Sequence, residues 1–500
     1  MAEPADLLIV GAGPSAIRAL VELDAALMGE PAVRPLDVVL IEPYLPGAGA
    51  VWDPDQPDHL LMNVGSGIVD FRCPSVPLSL LEWLGDEAEK YPPRNRVGRY
   101  LRWVYQRLEA SPRLALRHAQ ARALAVRPSA EGWAVDTRDE THLARRVLLC
   151  TGHAEGSMPD HSAIAGGSAD GVVVVRGAAL TAFDVVAGLT VGRGGRWEGE
   201  RYVASGREPE RIVLASRSGE PMLPKPEHSD HQMVDAVRAQ TRRLHGVPDD
   251  RWWSVMEDAV VAGAESAGIA LDPAQVAAVW RPVPGLGELT SRVRTRWAED
   301  LDRAAGRLDD DPAWWWGRTW AAGYPDVVGS LAHRPRDPVT WERFSARRRR
   351  LERWAFGPPR ATVARLAALM DAGLLAWTHD PSEPAQVDAV TPGPGVLKAP
   401  RPWGAPLGEQ AVANAPAPWP VLLRAGQVTV RPGEPGILTD DSARCLRADG
   451  SATPGLYALG RPTEGPIFDH DSLQRSLHPE PRRFAHLIAE RHRTTGRAHT

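Results

Sequence analysis

Three small residues near the start of the chain stand at the spacing of a phosphate-binding turn. Gly11, Gly13 and Ala16 directly follow the short apolar run Leu7–Val10. In such a turn the first glycine allows a sharp bend, the second lets the backbone approach a pyrophosphate, and the small third residue lets a helix pack closely on the strand. The N-terminus of that helix then directs free N–H groups and a positive dipole at the phosphates. A tight turn without a ligand is the alternative for the glycines taken alone.

The elements on either side of these glycines complete a βαβ unit. Apolar residues recur at helical spacing from Ile17 to Leu27, and a second apolar run, Leu36–Ile41, predicts the next strand. Glu42 ends that strand, where a carboxylate can accept hydrogen bonds from ribose hydroxyls. Because strand, turn, helix, second strand and terminal acid occur in order, the sequence predicts a dinucleotide-binding site here.

A second signal lies where another apolar run ends. Val147–Cys150 leads directly into Thr151 and Gly152. This stretch resembles the strand ending Ala-Thr-Gly that packs beside the cofactor in flavoproteins with two dinucleotide-binding domains, with Cys150 in place of the alanine. An ordinary exit from a strand into a turn is the alternative for this stretch alone. Cys150 lies within an apolar strand, so we expect its side chain to pack rather than to act in redox chemistry.

Between these two signals, residues 47–63 and 94–101 hold glycines, an amide and arginines. They resemble the stretch that lines the flavin ring in FAD/NAD(P)-binding oxidoreductases related to the flavin-dependent N-hydroxylating monooxygenases. The resemblance implies that Asn63 bonds edge atoms of the flavin and that Arg94 or Arg99 faces phosphate. For each residue taken singly, a loop contact or a solvated charge is an equal alternative.

A second nucleotide-binding unit follows in degenerate form. Val172–Val175 predicts a buried strand, Gly177 keeps the first glycine of the turn, and a helical pattern comes next. The stretch resembles the reduced-nicotinamide domain of the same flavoproteins, but Ala179 stands where they have a second glycine, and its methyl group crowds a pyrophosphate. Arg217 follows the strand Arg211–Ala215, where an arginine can bind a 2′-phosphate. The unit is therefore either a site for NADPH or a relic with weak or lost nicotinamide binding.

Near the C-terminal end, Gly455–Gly460 resembles the closing flavin-contact strand of that family. The family usually has an aspartate next, which holds the ribityl chain, whereas this chain has Arg461. The acidic and histidine residues at 469–471 are adjacent, and three adjacent residues cannot all point inward from one strand. We therefore expect no metal site there and predict a loop on the substrate side of the flavin.

The middle of the chain is rich in tryptophan. Residues from His228 to Leu375 follow a mostly helical pattern, and Trp314–Trp316 and Trp320 lie at helical spacing. Packing in the core of an inserted helical domain is favoured over a platform for carbohydrate or indole. The basic run Arg347–Arg350 is expected to be a solvated helix face rather than an RNA site. Residues 391–420 are rich in Pro, Gly and Ala and predict a long loop or linker, followed by a short strand at 427–430.

Composition excludes several classes of protein. The chain has 500 residues, of which 43% are hydrophobic and 24% charged, so it can form several globular domains. No apolar run approaches the roughly 18 residues of a membrane span. A net charge of −5 gives no electrostatic case for nucleic acid or an anionic membrane. Cys73, Cys150 and Cys445 form neither a metal-binding spacing nor a disulfide framework, so we expect a reducing, cytoplasmic location.

The sequence therefore predicts an α/β protein: a Rossmann-type FAD domain with an inserted, degenerate NAD(P)-type Rossmann domain and a helical insert. The expected segments are 1–165 and 386–500 for the FAD domain, the latter including the linker, 166–227 and 351–385 for the NAD(P)-type domain, and 228–350 for the helical insert. By resemblance, the function is FAD-dependent monooxygenation of an amine or amino-acid-like small molecule through a flavin hydroperoxide, with NADPH as one candidate reductant. A flavin dehydrogenase or oxidase that does not oxygenate and a non-catalytic FAD-binding protein are the alternatives.

No catalytic side chain and no oligomeric state are predicted, because the oxygen chemistry of such an enzyme belongs to the flavin. The residues expected to bind the cofactors are Gly11, Gly13, Pro14, Ser15, Ala16, Glu42, Trp52, Asn63, Arg99, Thr151, Gly152, Gly177, Arg217 and Gly460.

Overall fold

A computed structural model describes residues 3–28, 34–153, 159–166, 171–281, 288–379, 384–470 and 472–497. The strands of these residues are β1 (Leu7–Val10), β2 (Leu36–Ile41), β3 (Leu114–Ala119), β4 (Ala125–Ser129), β5 (Gly132–Asp136), β6 (Thr141–Ala144), β7 (Val147–Leu149), β8 (Val172–Arg176), β9 (Arg196–Glu198), β10 (Arg201–Val203), β11 (Arg211–Ala215), β12 (Leu375–Thr378), β13 (Val387–Asp388), β14 (Arg444–Leu446) and β15 (Ala452–Ala458).

The helices of the same residues are α1 (Pro14–Ala26), α2 (Leu80–Leu84), α3 (Arg94–Glu109), α4 (His161–Gly166), α5 (Leu180–Leu189), α6 (His231–Thr241), α7 (Asp249–Ser266), α8 (Pro273–Ala278), α9 (Leu289–Ala304), α10 (Pro312–Leu331), α11 (Pro338–Ala355), α12 (Arg360–Asp371), α13 (Glu409–Ala413), α14 (Trp419–Arg424) and α15 (Glu480–Arg497). Within this described part of the chain, no helix combines the length and the apolar character needed to cross a membrane.

The first sheet is built from both ends of the sequence. Its strand order is β14-β15-β7-β1-β2-β3, and every pair is parallel except the edge pair β14–β15. The residues of the central strand β1 are buried, as expected for a parallel strand covered by helices on both faces. On one face, α15 packs against α1 and presents Phe484 to Tyr457 of β15. The predicted parallel α/β architecture is confirmed.

A second sheet, of order β12-β11-β8-β13, is parallel throughout. It repeats the local geometry of the first sheet. The N–H of Gly11 donates to the Ile41 carbonyl at the end of β2, and the N–H of Gly177 donates to the Ala215 carbonyl at the end of β11, both at 2.9 Å. The glycine that leaves each first strand is therefore bonded to the end of the neighbouring strand, which is the duplicated βαβ arrangement of dinucleotide-binding folds.

The tryptophan-rich helices form a third core. Trp314, Trp315, Trp316 and Trp320 of α10 are all buried, which confirms that they pack rather than form an exposed platform. Helix α9 is an exception within this region. Its Trp297 contacts Phe183 of α5 and Trp377 of β12, so α9 belongs to the core of the second sheet.

Two expectations about local structure are wrong. Residues 427–430 do not form a strand; only Val430 bridges to Ile437, because the segment turns back before a ladder can extend. Of the arginines at 347–350, only Arg349 is exposed as a solvated face requires: Arg348 pairs with Glu464, Arg350 pairs with Glu220, and Arg347 stacks on Trp253. Arg348 also pairs with Glu352 one helical turn away, but Glu464, Glu220 and Trp253 lie far away in the sequence, so the local charge pattern could not show them.

Two further segments were not fully predicted from the sequence. Strand β3 was not predicted, and its alternating residues are only partly buried. The segment 391–420 is mostly irregular, as expected for a linker, but it contains α13 and the start of α14.

Candidate functional site

The glycine turn after β1 requires glycine at its first position. Gly11 has φ +90°, and a Cβ there would lie 2.3 Å from the Cys150 carbonyl oxygen. Helix α1 then begins at Pro14 with Gly13 as its N-cap, and no side chain caps its free N–H groups. Its first turn also carries no acidic residue. The turn therefore leaves an uncapped, positively polarised helix end, which is suited to an anion.

Two glycine turns face each other at this helix end. The N–H of Gly47 donates to the Ala12 carbonyl at 2.8 Å, which holds the second turn against the first. A Cβ on Gly13 would meet only the Cα of Gly49, at 3.7 Å, and a Cβ on Gly49 would lie 3.1 Å from the Cα of Gly13. Gly13 and Gly49 are thus in backbone contact, and the two turns form a cradle beside the start of α1 in which the two facing residues carry no side chain. Such a cradle fits the diphosphate of a dinucleotide.

Glu42 lies beside the same turn, as the sequence predicts. Its buried carboxylate accepts the N–H of Ala12 at 2.8 Å through Oε2 and the N–H of Tyr44 at 3.2 Å through Oε1. These bonds fix the carboxylate at the end of β2. Each carboxylate oxygen has a second acceptor site, which leaves capacity for a ribose hydroxyl.

Two more strand ends converge on the turn. Thr151 follows β7, and its Oγ1 accepts the indole N–H of Trp419 at 3.1 Å. Gly460 follows β15 with φ +81°, and a Cβ there would lie 2.3 Å from Ser15 Oγ. The structure therefore brings together Gly11, Gly13, Pro14, Ser15, Ala16, Glu42, Thr151, Gly152 and Gly460.

A buried hydrogen-bond network holds Gly460, and sequence reasoning missed it. The N–H of Gly460 donates to His470 Nδ1 at 2.9 Å, and the N–H of His470 donates to Glu464 Oε2 at 2.9 Å. Glu464 in turn pairs with Arg348 of α11 at 3.1 Å. This network connects the candidate cofactor site to the helical region. The sequence offered only the acidic and histidine residues after position 460 as an indication of this network, and they predicted a loop rather than a support for β15.

His470 also lines a cavity beside the start of α1, together with Ser15, Arg18 and Gly460. Behind it, metal-ligand-type atoms of His470, His478 and Glu480 lie within 4.8 Å of one another. Backbone groups already engage two of these rings, because His470 accepts the Gly460 N–H and His478 Nε2 contacts the Asp469 carbonyl at 2.8 Å.

The buried groups behind the cavity have shifted proton affinities. Burial lowers the pKa of His470 well below its usual value. Burial alone would raise the pKa of Glu480, but the contact with His333 and the neighbouring histidines lowers it to about 2. Neutral His470 with its Nδ1 accepting is therefore the form that holds Gly460.

The remaining predicted residues lie in different surroundings. Asn63 and Trp52 lie on loops and are partly exposed. A Cβ on Gly98 would lie 1.8 Å from the carbonyl oxygen of Trp52, so α3 packs directly on the loop that holds Trp52. Arg99 is exposed on α3. Arg94 instead forms an ion pair with Asp184 of α5 at 2.7 Å, which joins the first sheet to the second.

The second nucleotide-binding unit keeps only part of the cradle. Gly177 has φ +116°, and α5 begins after Ala179 without a side-chain cap. Arg353 of α11 donates to the Ala178 carbonyl at 2.8 Å and so holds this turn from the helical side. Arg217 is exposed after β11. The uncapped helix end and the glycine turn fit a diphosphate, but the methyl group of Ala179 leaves less room for a diphosphate to approach the backbone.

Residues 8–154, which contain the glycine turn and the parallel strands around it, match an FAD-NAD(P)-binding family. Nitrosuccinic acid synthase of Aspergillus oryzae is 32% identical over 267 residues, which is 43% of this chain and 40% of that enzyme. An L-aspartate N-monooxygenase (nitrosuccinate-forming) of Streptomyces davaonensis is 28% identical over 313 residues, which is 47% of this chain and 48% of the relative. The chain thus spans less than half the length of these curated relatives.

Among solved structures, the ornithine N-hydroxylase of Kutzneria sp. 744 aligns over 98% of this chain and 100% of that protein, at 12% identity and a TM-score of 0.45. The resemblance to FAD/NAD(P)-binding flavoproteins related to N-hydroxylating monooxygenases is confirmed by the family match and by the named relatives.

Proposed function

We propose that this chain is an FAD-dependent monooxygenase that hydroxylates the amino nitrogen of L-aspartate or of a closely similar amino acid, with NADPH as the reductant. The observation that carries the proposal is the similarity to relatives named as L-aspartate N-monooxygenases and as a nitrosuccinic acid synthase. The paired glycine turns beside Glu42 support it, because they offer the cradle that FAD requires.

In this proposal the N-terminal turn holds FAD. Gly13 and Gly49 let the diphosphate lie against backbone, the first N–H groups of α1 bond its oxygens, and Glu42 accepts a ribose hydroxyl. Bound FAD supplies the redox and oxygen-activating chemistry. The protein contributes binding and positioning, and the helical region excludes water from the site.

The second sheet would receive the reductant. Gly177 and the start of α5 would hold the NADPH diphosphate, and Arg217 would pair with its 2′-phosphate. The methyl group of Ala179 is expected to weaken this binding without abolishing it. We also propose that residues 166–227 and 351–385 form the NAD(P)-type domain and that residues 228–350 form the helical insert. Helix α9 lies within the insert, but it packs with the second sheet rather than with the other tryptophan-rich helices.

One experiment separates the candidate functions. The purified protein is loaded with FAD, mixed with NADPH without oxygen while the flavin spectrum is recorded, and then given oxygen and L-aspartate while the products are identified by mass. Bleaching of the flavin followed by an oxidised aspartate nitrogen supports the proposal. Bleaching with only hydrogen peroxide as product supports an oxidase or dehydrogenase. A bound flavin that no donor reduces supports a non-catalytic FAD-binding protein.

A further inference from the structure

The last turns of helix α11 hold two arginines but only one acid that faces them. Arg350 and Arg353 lie three residues apart, and the charge of Glu220 acts on both. Arg350 forms the ion pair with Glu220, at 3.1 Å, whereas no carboxylate among the described residues forms an ion pair with Arg353. This end of α11 therefore keeps one positive charge in excess.

The guanidinium of Arg353 bridges the turns that follow two neighbouring strands of the second sheet. Its Nη2 donates to the Ala178 carbonyl at 2.8 Å, in the turn after β8. Its Nε and Nη2 both donate to the Glu220 carbonyl, which follows β11, the Nε at 3.0 Å. Because β8 and β11 are parallel neighbours, both turns lie at the carboxyl edge of the sheet. Ligands of open α/β sheets bind in the crevice at this edge, so Arg353 lies where a dinucleotide would bind.

One nitrogen of this guanidinium remains available. The hydrogen bonds to the two carbonyls use Nε and Nη2, and Nη1 donates to no acceptor within the described part of the chain. The side chain is partly exposed, so solvent reaches it. Burial nevertheless lowers the pKa of Arg353, because the protein has removed part of the hydration of its charge. An anion beside Nη1 would replace that hydration.

The position of Arg353 is fixed by contacts between α11 and the chain after β11. The N–H of Leu223 donates to the Arg353 carbonyl at 3.1 Å, and the indole N–H of Trp354 donates to Glu220 Oε1 at 2.9 Å. A Cβ on Gly357 would lie 1.9 Å from the Leu223 carbonyl oxygen, so the residues just beyond α11 pack on the same segment. A guanidinium held in this way loses little conformational entropy when a ligand binds.

The turn that Arg353 contacts indicates which anion it would meet. Ala178 lies between Gly177, which has φ +116°, and Ala179, the N-cap of α5. Helix α5 has no side-chain cap and no acidic residue in its first turn, so its first N–H groups are left for an anion. In a dinucleotide-binding unit this anion is the diphosphate. The methyl group of Ala179 leaves less room for backbone contact with the diphosphate, and Arg353 offers a charged contact beside it.

We propose that Arg353 binds the diphosphate of a nicotinamide dinucleotide through Nη1, so that a residue of α11 compensates for the alanine in the turn of the second unit. This inference rests on the proposed function, because it concerns the NADPH site of that reaction. Hydrogen bonds from a guanidinium to phosphate oxygens are strengthened by charge. NADPH and NADH share the diphosphate, so Arg353 would bind both, whereas Arg217 would distinguish them by the 2′-phosphate.

The test measures binding rather than turnover and uses the full-length protein with oxidised FAD. Arg353→Met should weaken binding of NADP⁺ and of NAD⁺ by the same factor, roughly ten- to a hundredfold, in calorimetric titrations. The FAD content should stay unchanged. Arg349→Met, which alters an exposed arginine of the same helix, is the matched control and should leave both affinities intact.

Two further variants separate binding of the diphosphate from support of the two turns. Arg353→Lys keeps the charge and should recover part of the affinity for NADP⁺. Arg353→Gln keeps N–H donors for the carbonyls but has no charge, so it should bind NADP⁺ as weakly as Arg353→Met. If Arg353 only supported the turns, the glutamine variant would bind NADP⁺ at least as well as the lysine variant, and the inference would be wrong.

A protection experiment covers the case in which a variant does not fold. In the unaltered protein, an arginine-specific dicarbonyl reagent should modify Arg353 and the exposed Arg349, as read by mass spectrometry of the peptides. Saturating NADP⁺ or NAD⁺ should protect Arg353 but not Arg349. Adenosine, which has no phosphate, should protect neither.

The outcomes separate this inference from the proposed function. Unchanged NADP⁺ affinity in Arg353→Met, or no protection of Arg353, would overturn the inference. Weaker binding of NADP⁺ with unchanged binding of NAD⁺ would also overturn it and assign Arg353 to the 2′-phosphate. If the unaltered protein binds neither dinucleotide, the inference is wrong even when the chemically reduced protein oxidises L-aspartate. If Arg353→Met loses both dinucleotides but the unaltered protein does not oxidise L-aspartate, the inference stands and the proposed function fails.

Discussion

Replacement of Gly13 should remove FAD without unfolding the protein. Gly13 has φ −81° and ψ −167°, which any residue adopts, and a Cβ there would meet only the Cα of Gly49 at 3.7 Å. The protein therefore has room for a Cβ at this position. The same side chain would occupy the space that the diphosphate must approach.

The expected change in the free energy of unfolding differs between Gly13 and Gly11 because their backbone conformations and surroundings differ. At Gly13, loss of the preferred N-cap residue and the gain from a stiffer unfolded chain nearly cancel, so alanine should change stability by less than about 1 kcal/mol. At Gly11, with φ +90°, alanine adds strain of about 1–3 kcal/mol and also a Cβ 2.3 Å from the Cys150 carbonyl oxygen. Gly13→Val should weaken FAD binding by more than roughly a hundredfold, or about 2.7 kcal/mol.

The assay combines thermal unfolding of the FAD-free proteins with titration by FAD. Gly13→Ala and Gly13→Val should unfold near the temperature of the unaltered protein but bind little FAD, whereas Gly11→Ala should unfold at a clearly lower temperature. A Gly13→Val protein that purifies with a full complement of FAD would refute the assignment of this turn to the diphosphate.

Three further predictions follow from the second sheet and the buried network. Ala179→Gly should speed flavin reduction by NADPH in stopped-flow measurements, because it removes a methyl group from the turn. Arg217→Ala should slow flavin reduction by NADPH more than reduction by NADH. Equal effects on both dinucleotides would contradict the proposed role of Arg217 in binding the 2′-phosphate. Glu464→Gln should leave the partly buried Arg348 without its charged partner in the network and lower the free energy of unfolding by about 1–3 kcal/mol in denaturant titrations, while an unchanged midpoint would argue against the network.

The parts of the site that were predictable from the sequence are local in the chain. The Leu7–Val10 strand, the turn at Gly11 and Gly13, and helix α1 follow one another, so spacing and apolar periodicity were sufficient to predict them. Glu42 was predictable because an acid at the end of the second strand has a fixed place relative to the turn in a βαβ unit.

The unpredicted parts depend on contacts between distant residues. Trp419 donates to Thr151 across 268 positions, from a segment whose composition indicated only a linker. His470 bonds the N–H of Gly460 through a loop with no periodic pattern. Arg94 pairs with Asp184 of α5, a helix that packs on the second sheet, and the sequence around Arg94 could not identify this partner.

The central claim is that this chain transfers an oxygen atom to the amino nitrogen of an aspartate-like substrate. The most direct test supplies the FAD-loaded protein with NADPH, L-aspartate and heavy-isotope oxygen gas and then locates the label by mass spectrometry. We expect labelled oxygen on the aspartate nitrogen. Labelled oxygen found only in hydrogen peroxide or water, with aspartate unchanged, would contradict it.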